Sequence, residues 1–406
     1  MVPMNRTTSD SVVLVAGGGI GGLAAALALA RRGFPVKVLE QSHELGEIGA
    51  GIQLGPNAFA AFDALGVGPE ARACAVYADE LVMHDALDES LVGRLVVGEA
   101  FRRRFGNPYA VIHRGDIHRA LLESAKANGH IELLTSTRVE RVEQNTDGVT
   151  VIDAGGHAHR GSALIGADGI KSAVRAQYVN DPHRVSGHVV YRAVVEQKDF
   201  PKDLLWNAMS VWGGPDCHLV HYPLRSAQQY NLVVTFHSRQ KVEWGVTEGT
   251  PEEVQSYFTD ICPRARQLID LPKSWRRWAT ADRDPIGNWT FGRVTLLGDA
   301  AHPSLQYLAQ GAAQTLEDAV TLGEALRVND NDFAQGFELY QRSRIARTAR
   351  IVLSAREMGR ILHAKGVERL VRNDLWKGRT QERYYDALEW IYAWKVEGCL
   401  AEARNA

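Results

Sequence analysis

The hydrophobic pattern along the chain changes period twice. SVVLVAG, starting at Ser11, is a short uninterrupted apolar run of the kind buried on both faces of a parallel sheet. LAAALALARRG then forms a helix that stops at Gly33, and FPVKVLE predicts a second strand ending at Glu40. ALIGADG and RVTLLGD repeat the strand-then-turn pattern. The second of them leads into a helix beginning near Gly311, in which Leu316, Ala319, Val320 and Gly323 recur at helical spacing. Between about residues 185 and 285 the runs become short, β-branched and aromatic (HVVYRAVVEQ, NAMSVWGG, CHLVHYPL, YNLVVTFHS), which predicts an antiparallel sheet. A segment around 81–97 is expected to join it.

The expected fold class is therefore α/β. A Rossmann-type nucleotide-binding domain is assembled from residues 1–80, 105–184 and 286–335, and an antiparallel-sheet domain from 81–104 and 185–285 is inserted into it. A C-terminal helical region follows over 336–406. Interruption of one domain by another puts a ligand cleft at their interface. Residues 337–363 read as one arginine-rich helix with a solvated or subunit-facing surface. The tail holds Trp376, Tyr384, Tyr385, Trp390, Tyr392 and Trp394, with Trp390 and Trp394 one helical turn apart, as core packing or a subunit contact. A homodimer is expected.

Composition narrows the function. At 406 residues, with 45% hydrophobic and 23% charged residues, the chain is long enough for two or three structural units and ordinary for a globular enzyme. Lys plus Arg (46) nearly cancel Asp plus Glu (48), so no global positive field is available for a nucleic-acid backbone. Cys74, Cys217, Cys262 and Cys399 lie far apart, without the spacing of a zinc site or disulfide framework, so no metal is expected and a reducing cytoplasm fits. MVPMNRTTSD is polar, and no targeting segment or membrane span is expected.

The chemistry begins at GGGIGG. Gly17, Gly19 and Gly22 have the G-x-G-x-x-G spacing, between a strand and a helix. The chain must turn sharply at Gly17, Gly19 lets a pyrophosphate approach the backbone, and Gly22 lets helix and strand pack closely. The helix N-terminus then faces the anion. Glu40, about 20 residues on, is placed to accept hydrogen bonds from an adenosine ribose. NAD and FAD enzymes share this arrangement, so these residues leave the dinucleotide open. In CHLVHYPL, strand alternation puts His218, Val220 and Tyr222 on one face and Cys217, Leu219 and His221 on the other. His218 and Tyr222, about 13 Å apart along the strand, could grip a small aromatic acid or be ordinary sheet residues. Arg114, near a capping Asp116, could likewise be a surface or capping arginine.

Together GGGIGG, Asp168-Gly169 in ALIGADGIKSAVR, and Gly298-Asp299 in RVTLLGDAAHPSLQYLAQGAAQTLEDAVTLGEAL resemble the three fingerprints of the group A flavoprotein aromatic hydroxylases, from about Val12 to about Arg350. The resemblance implies a para-hydroxybenzoate hydroxylase-like fold and one noncovalent FAD, with Asp299 on its ribityl chain, Asp168 at the FAD and pyridine nucleotide, and Arg114 in the flavin region. It puts GEIGAGIQLGPNA, Gly46 to Ala58, in a loop near the isoalloxazine. A helix starting near Gly311 would aim its positive end at the reduced flavin.

GPDCHLVHYPL, HPSLQYLAQGA and NPYAVIHR are most similar to the branch of that family that para-hydroxylates 3-hydroxybenzoate to 2,5-dihydroxybenzoate (gentisate). The resemblance implies substrate contacts from His218, Tyr222, Gln306 and Tyr109, with NADH and O2 as cosubstrates and a flavin C4a-hydroperoxide as the hydroxylating species. His218, with an ordinary histidine pKa near 6.5, would accept the phenolic proton. Gln306 would orient the phenolic oxygen, and Tyr222 would bind the carboxylate or shape the pocket. Leu305-Gln306-Tyr307-Leu308 stands where salicylate hydroxylases usually carry a Pro-His-Gln-Gly type loop, which lowers a salicylate reading. Two alternatives are a decarboxylating hydroxylase of salicylate or 6-hydroxynicotinate and a flavin-binding protein without turnover, the second opposed by the intact His218 and Gln306.

Overall fold

The computed structural model describes residues 12–46, 51–239 and 245–401. The polar first ten residues, and with them the expectation about a targeting segment, lie outside the described residues. The apolar run starts its strand at Val13–Ala16, all four residues buried. That strand is central in a six-stranded sheet. Val36–Leu39 and Ile131–Leu134 follow on one side, and Ala163–Gly166, Val294–Leu296 and Thr290–Phe291 on the other. All neighbours are parallel except the Thr290–Phe291 edge. Continuous burial on both faces is what parallel pairing under flanking helices requires. The Ala-rich helix Ile20–Ala30 packs on this sheet, buried at nearly every position, which its small side chains permit.

The second large sheet has eight strands in the order Val246–Gly249, Trp275–Asp282, Arg184–Glu196, Gln229–His237, Cys217–Leu224, Ala208–Gly214, Glu80–Asp85, Leu91–Val96. The early segment joins it. The join differs from a purely antiparallel sheet: Glu80–Asp85 runs parallel to Ala208–Gly214, from Ala208 opposite Glu80 to Gly213 opposite Asp85. Parallel pairing needs a long connection between its strands, and here the intervening chain supplies one.

Three further expectations are corrected. Gly46–Ala58 is not one loop: Gly51–Leu54 is a strand paired with Ala110–His113, and Pro56–Leu65 is a helix, while residues 47–50 lie outside the described residues. The last helix of the tail is Gln381–Tyr392, so Trp394 falls beyond it and does not stack one turn after Trp390. Its aromatics are core, with Tyr385 and Tyr392 set edge-on to Phe101 and Phe105. The arginine-rich stretch is a 30-residue helix, Phe333–Leu362, whose Arg344 and Arg347 are buried rather than solvated.

Candidate functional site

Gly17 has φ +102°, and a Cβ there would lie 2.4 Å from the carbonyl oxygen of Ala167. A Cβ on Gly22 would lie 1.8 Å from the carbonyl oxygen of Gly17, so only glycine allows this helix and turn to approach. Gly19 caps the helix Ile20–Ala30 and lines the large cavity of the molecule. The Glu40 carboxylate accepts the backbone N–H groups of Gly18 (2.6 Å) and Ser42 (2.7 Å). It therefore braces the glycine turn, and each oxygen keeps a lone pair for a ribose hydroxyl. His118, which sequence reasoning missed, reaches the Gly18 carbonyl oxygen through Nε2 at 2.8 Å.

Asp168 follows the strand Ala163–Gly166 and accepts from the Ser172 hydroxyl and from the backbone N–H groups of Ala173 (2.8 Å) and Val174 (3.2 Å). Ser172 is the N-cap of the short helix Ala173–Tyr178, and by holding that hydroxyl and the first-turn N–H groups Asp168 fixes the turn in which Gly169 lines the cavity. Burial raises its pKa against those hydrogen bonds.

Gly298 has φ +62°. Beside it Asp299 is open to the cavity, where the surrounding protein raises its pKa by desolvation while His302 and Arg114 pull it back down. The helix Gly311–Val328 begins at the cavity wall, and a Cβ on Gly311 would meet nothing within 4 Å. Arg114 is the first residue of the helix Arg114–Ala127 and lines the same cavity. His113 is the N-cap of that helix and Asp116 pairs with Arg119 at 3.1 Å, so Asp116 is not the cap.

Behind this loop lies an ionic network whose members sequence reasoning did not pair. Arg344 donates to Asp318 (2.7 Å) and Glu317 (2.6 Å), and Arg347 to Glu317 (2.6 Å), with Arg344, Glu317 and Asp318 fully buried. The other oxygen of Asp318 meets Gly298 N–H (3.0 Å) and His302 Nε2 (2.6 Å). Asn57 bonds Glu317 (2.6 Å) and Gln310 (2.9 Å). The signal available in the sequence was the Glu317-Asp318 pair inside an otherwise apolar helix face, a charge that must be paired when buried.

The cavity, about 790 Å³, runs from Gly19, Arg114, Asp299 and Gly311 to His218, Tyr222, Tyr109 and Gln306. That size suits a cofactor's reactive end with a small substrate. His218, Val220 and Tyr222 line it, whereas Cys217 and Leu219 pack in the core behind the sheet, as alternation requires. Tyr109 donates to Gln53 Oε1 at 2.6 Å. Gln306 Nε2 is buried beside the Tyr307 hydroxyl without an aligned hydrogen bond. The environment of His218 departs from the sequence premise: burial, with His188 nearby, pushes its pKa down to about 3, and its Nδ1 lies 2.7 Å from Nε2 of His363.

Arg192 was also missed. It lines the cavity, stands across from Val233, which in turn faces Val220, and stacks over the Trp278 ring at 5.5 Å. Its Nε is buried with no hydrogen-bond partner among the described residues, and burial lowers its pKa. A half-buried cation with a buried, unpaired Nε favours an anion at this face.

Residues 10–355 match the family model described as "FAD binding domain". The chain belongs to this FAD-binding family. It is 73% identical over 399 residues to the 3-hydroxybenzoate 6-hydroxylase of Polaromonas naphthalenivorans (strain CJ2), covering 98% of this chain and 100% of that one. With the Klebsiella oxytoca 3-hydroxybenzoate 6-hydroxylase it shares 58% over 391 residues, 96% of this chain and 98% of the other. A solved salicylate hydroxylase substrate complex superposes with a TM-score of 0.82 at 28% identity, over 98% of each chain. The fold is the α/β arrangement of FAD-dependent aromatic hydroxylases, and FAD is the cofactor.

The residues present fit FAD. The crowded glycine turn leaves a backbone cradle at a helix N-terminus, Asp299 opens onto the cavity as an acceptor, and the Gly311 end is clear of side chains. Among the described residues no helix is long and apolar enough to cross a membrane, and no His, Cys, Asp and Glu cluster suits a metal ion.

Proposed function

We propose that this chain is an NADH-consuming, FAD-dependent monooxygenase that hydroxylates 3-hydroxybenzoate para to its phenol, giving 2,5-dihydroxybenzoate. The observation that carries the reading is the gathering of His218, Gln306, Tyr222 and Arg192 around one cavity, in a chain 73% identical over 399 residues to a 3-hydroxybenzoate 6-hydroxylase. The glycine turn, Asp299 and the Gly311 end of its helix would hold FAD, which would supply the reductive oxygen chemistry that delivers the hydroxyl group.

The protein's own residues do the rest. Arg192 lies two strands from Val220, about 10 Å at ordinary strand spacing, and Val220 sits between His218 and Tyr222. A hydroxybenzoate with its phenol at His218 therefore directs its carboxylate toward Arg192 and Tyr222. Gln306 Nε2 donates to the phenolic oxygen, and His218 accepts its proton through Nε2, since Nδ1 is held by His363. Removing that proton makes the ring electron-rich enough for electrophilic hydroxylation. The apolar walls, with Val220, Leu305 and Ile391, exclude water.

The exposed face of the helix Gly366–Trp376, with Val367, Leu370, Val371 and Leu375 open, supports a homodimer, to be checked by sedimentation. Four free cysteines suit a cytoplasmic setting. The decisive test offers purified holoenzyme a panel of monohydroxybenzoates and identifies products by mass. Gentisate formed with NADH consumption is expected. Release of CO2 with catechol from salicylate would replace this reading with the decarboxylating one.

A further inference from the structure

Four histidine rings form a continuous series from the cavity to the surface. His218 Nδ1 meets His363 Nε2 at 2.7 Å, with ring centroids 5.0 Å apart. His363, the C-cap of the helix Phe333–Leu362, lies 5.1 Å from His188, and His188 lies 5.1 Å from its direct cross-strand partner His237. His218 and His363 are buried, His188 is half-buried and His237 is exposed. The Tyr307 hydroxyl bonds His188 Nδ1 at 2.6 Å. The turn at Asp216 ties the outer end together, its N–H donating to the His363 carbonyl (3.1 Å) and its own carbonyl accepting from His237 N–H (3.2 Å).

We propose that this histidine series carries the phenolic proton from the cavity to solvent, with His363 receiving it from His218. The proposal rests on the hydroxybenzoate reading above. The phenolic O–H bond breaks and its proton bonds to His218 Nε2, while the proton on His218 Nδ1 passes to His363 Nε2. His363 releases its own Nδ1 proton to His188 across a bridging water, His188 passes one to His237 in the same way, and His237 delivers one to solvent. The net change is one phenolate in the cavity and one proton outside, with no oxidant or reductant used. A proton returning along the same path, when the product phenol forms, restores the starting tautomers.

The series conducts a proton without storing one. Burial pushes His218 down to about 3 and His188 to about 4, and holds His363 well below the usual histidine range. Around His188, Arg184 lowers and Asp216 raises proton affinity, and these two are paired with Asp282 (3.1 Å) and Lys365 (2.8 Å). A base this weak cannot hold a proton near neutral pH, so a route outward is what makes His218 effective. His363 touches neither substrate nor cofactor. It positions His218 and takes its proton.

The test mixes FAD-loaded enzyme with 3-hydroxybenzoate and follows proton release with an indicator dye, alongside the phenolate absorbance of the bound ligand. His363→Asn keeps an acceptor for His218 Nδ1–H but cannot pass a proton on. It should bind the ligand and accept hydride from NADH as the parent does, yet release the proton at least about tenfold more slowly. Added imidazole should restore the rate. In His237→Ala the rate should become dependent on buffer concentration. Parent rates of proton release in His363→Asn would overturn the proposal, as would a slow variant that imidazole cannot rescue and whose ligand affinity has fallen. His363→Gln repeats the test if the asparagine variant does not fold. Failure of the unmodified holoenzyme to bind 3-hydroxybenzoate would instead overturn the functional reading beneath it.

Discussion

Arg344 and Asp318 form an ion pair of 2.7 Å with neither side chain exposed, and the second oxygen of the same carboxylate holds the backbone N–H of Gly298. The arginine-rich helix is thereby fastened to the loop that presents Asp299 to the cavity. Removing one partner of a buried pair strands the other charge.

Arg344→Met should accordingly destabilise the protein by about 3–5 kcal/mol, leaving Asp318 without its arginine and Glu317 with Arg347 alone. Urea unfolding of the holoenzyme measures this, and FAD should be lost earlier in the transition than in the parent. A change within about 0.5 kcal/mol, the range of ordinary surface substitutions, would show the network to be dispensable.

Asp299→Ala should weaken FAD retention by about 1–3 kcal/mol, because a cavity-facing acceptor for ribityl hydroxyls is removed. Dialysis followed by flavin fluorescence reads the loss. Unchanged FAD affinity would place the ribityl chain elsewhere.

For Arg192 the informative comparison is between ligands. Arg192→Met should weaken 3-hydroxybenzoate by about 2–5 kcal/mol, as expected for losing a buried charge partner, while 3-hydroxybenzamide, which has no carboxylate, should be affected far less. Titration of the flavin absorbance change gives both constants. Equal weakening of the two would mean that Arg192 shapes the pocket without binding the anion.

The buried histidines set the acid stability. His188, His218 and His221 have folded pKa values of about 4, 3 and 3, below the ordinary 6.5. Between those values and 6.5 the unfolded chain binds more protons, so stability falls as pH drops through that window and is unaffected above it. Each such proton is worth about 1.4 kcal/mol per pH unit. Denaturant midpoints should hold level from pH 8 to 7 and decline steeply from 6 to 4. A flat profile across that lower range would show these rings to be protonated in the native state.

Much of the frame was legible because its signals are local. Gly22 answers to a backbone clash with Gly17 within one turn and Gly17 to its positive φ, while the strand before them is uniformly apolar and the one after is interrupted only by Lys37. Alternation likewise assigned His218 and Tyr222 to one wall from eight residues of sequence. What escaped depends on distant pairing. Arg344 reads as a surface residue until Glu317 and Asp318 lie beside it, and Arg192 is an unremarkable strand residue until the sheet sets it two strands from Val220 on the cavity. The pKa of His218 was misjudged for the same reason: burial and His188 both act from outside its own strand.

The parallel seam between Glu80–Asp85 and Ala208–Gly214 bears on how the chain is made. The pair Glu80–Asp85 and Leu91–Val96 leaves the ribosome long before its only large-sheet neighbour exists, and at about 5–20 residues per second it waits several seconds or more. During that interval the side chains of Met83, Val92 and Leu95, which in the finished molecule cluster with residues of the C-terminal helices, lack those partners. This part of the cavity wall is thus closed late in biosynthesis, and the hairpin stays open to misassociation while the rest of the chain is translated.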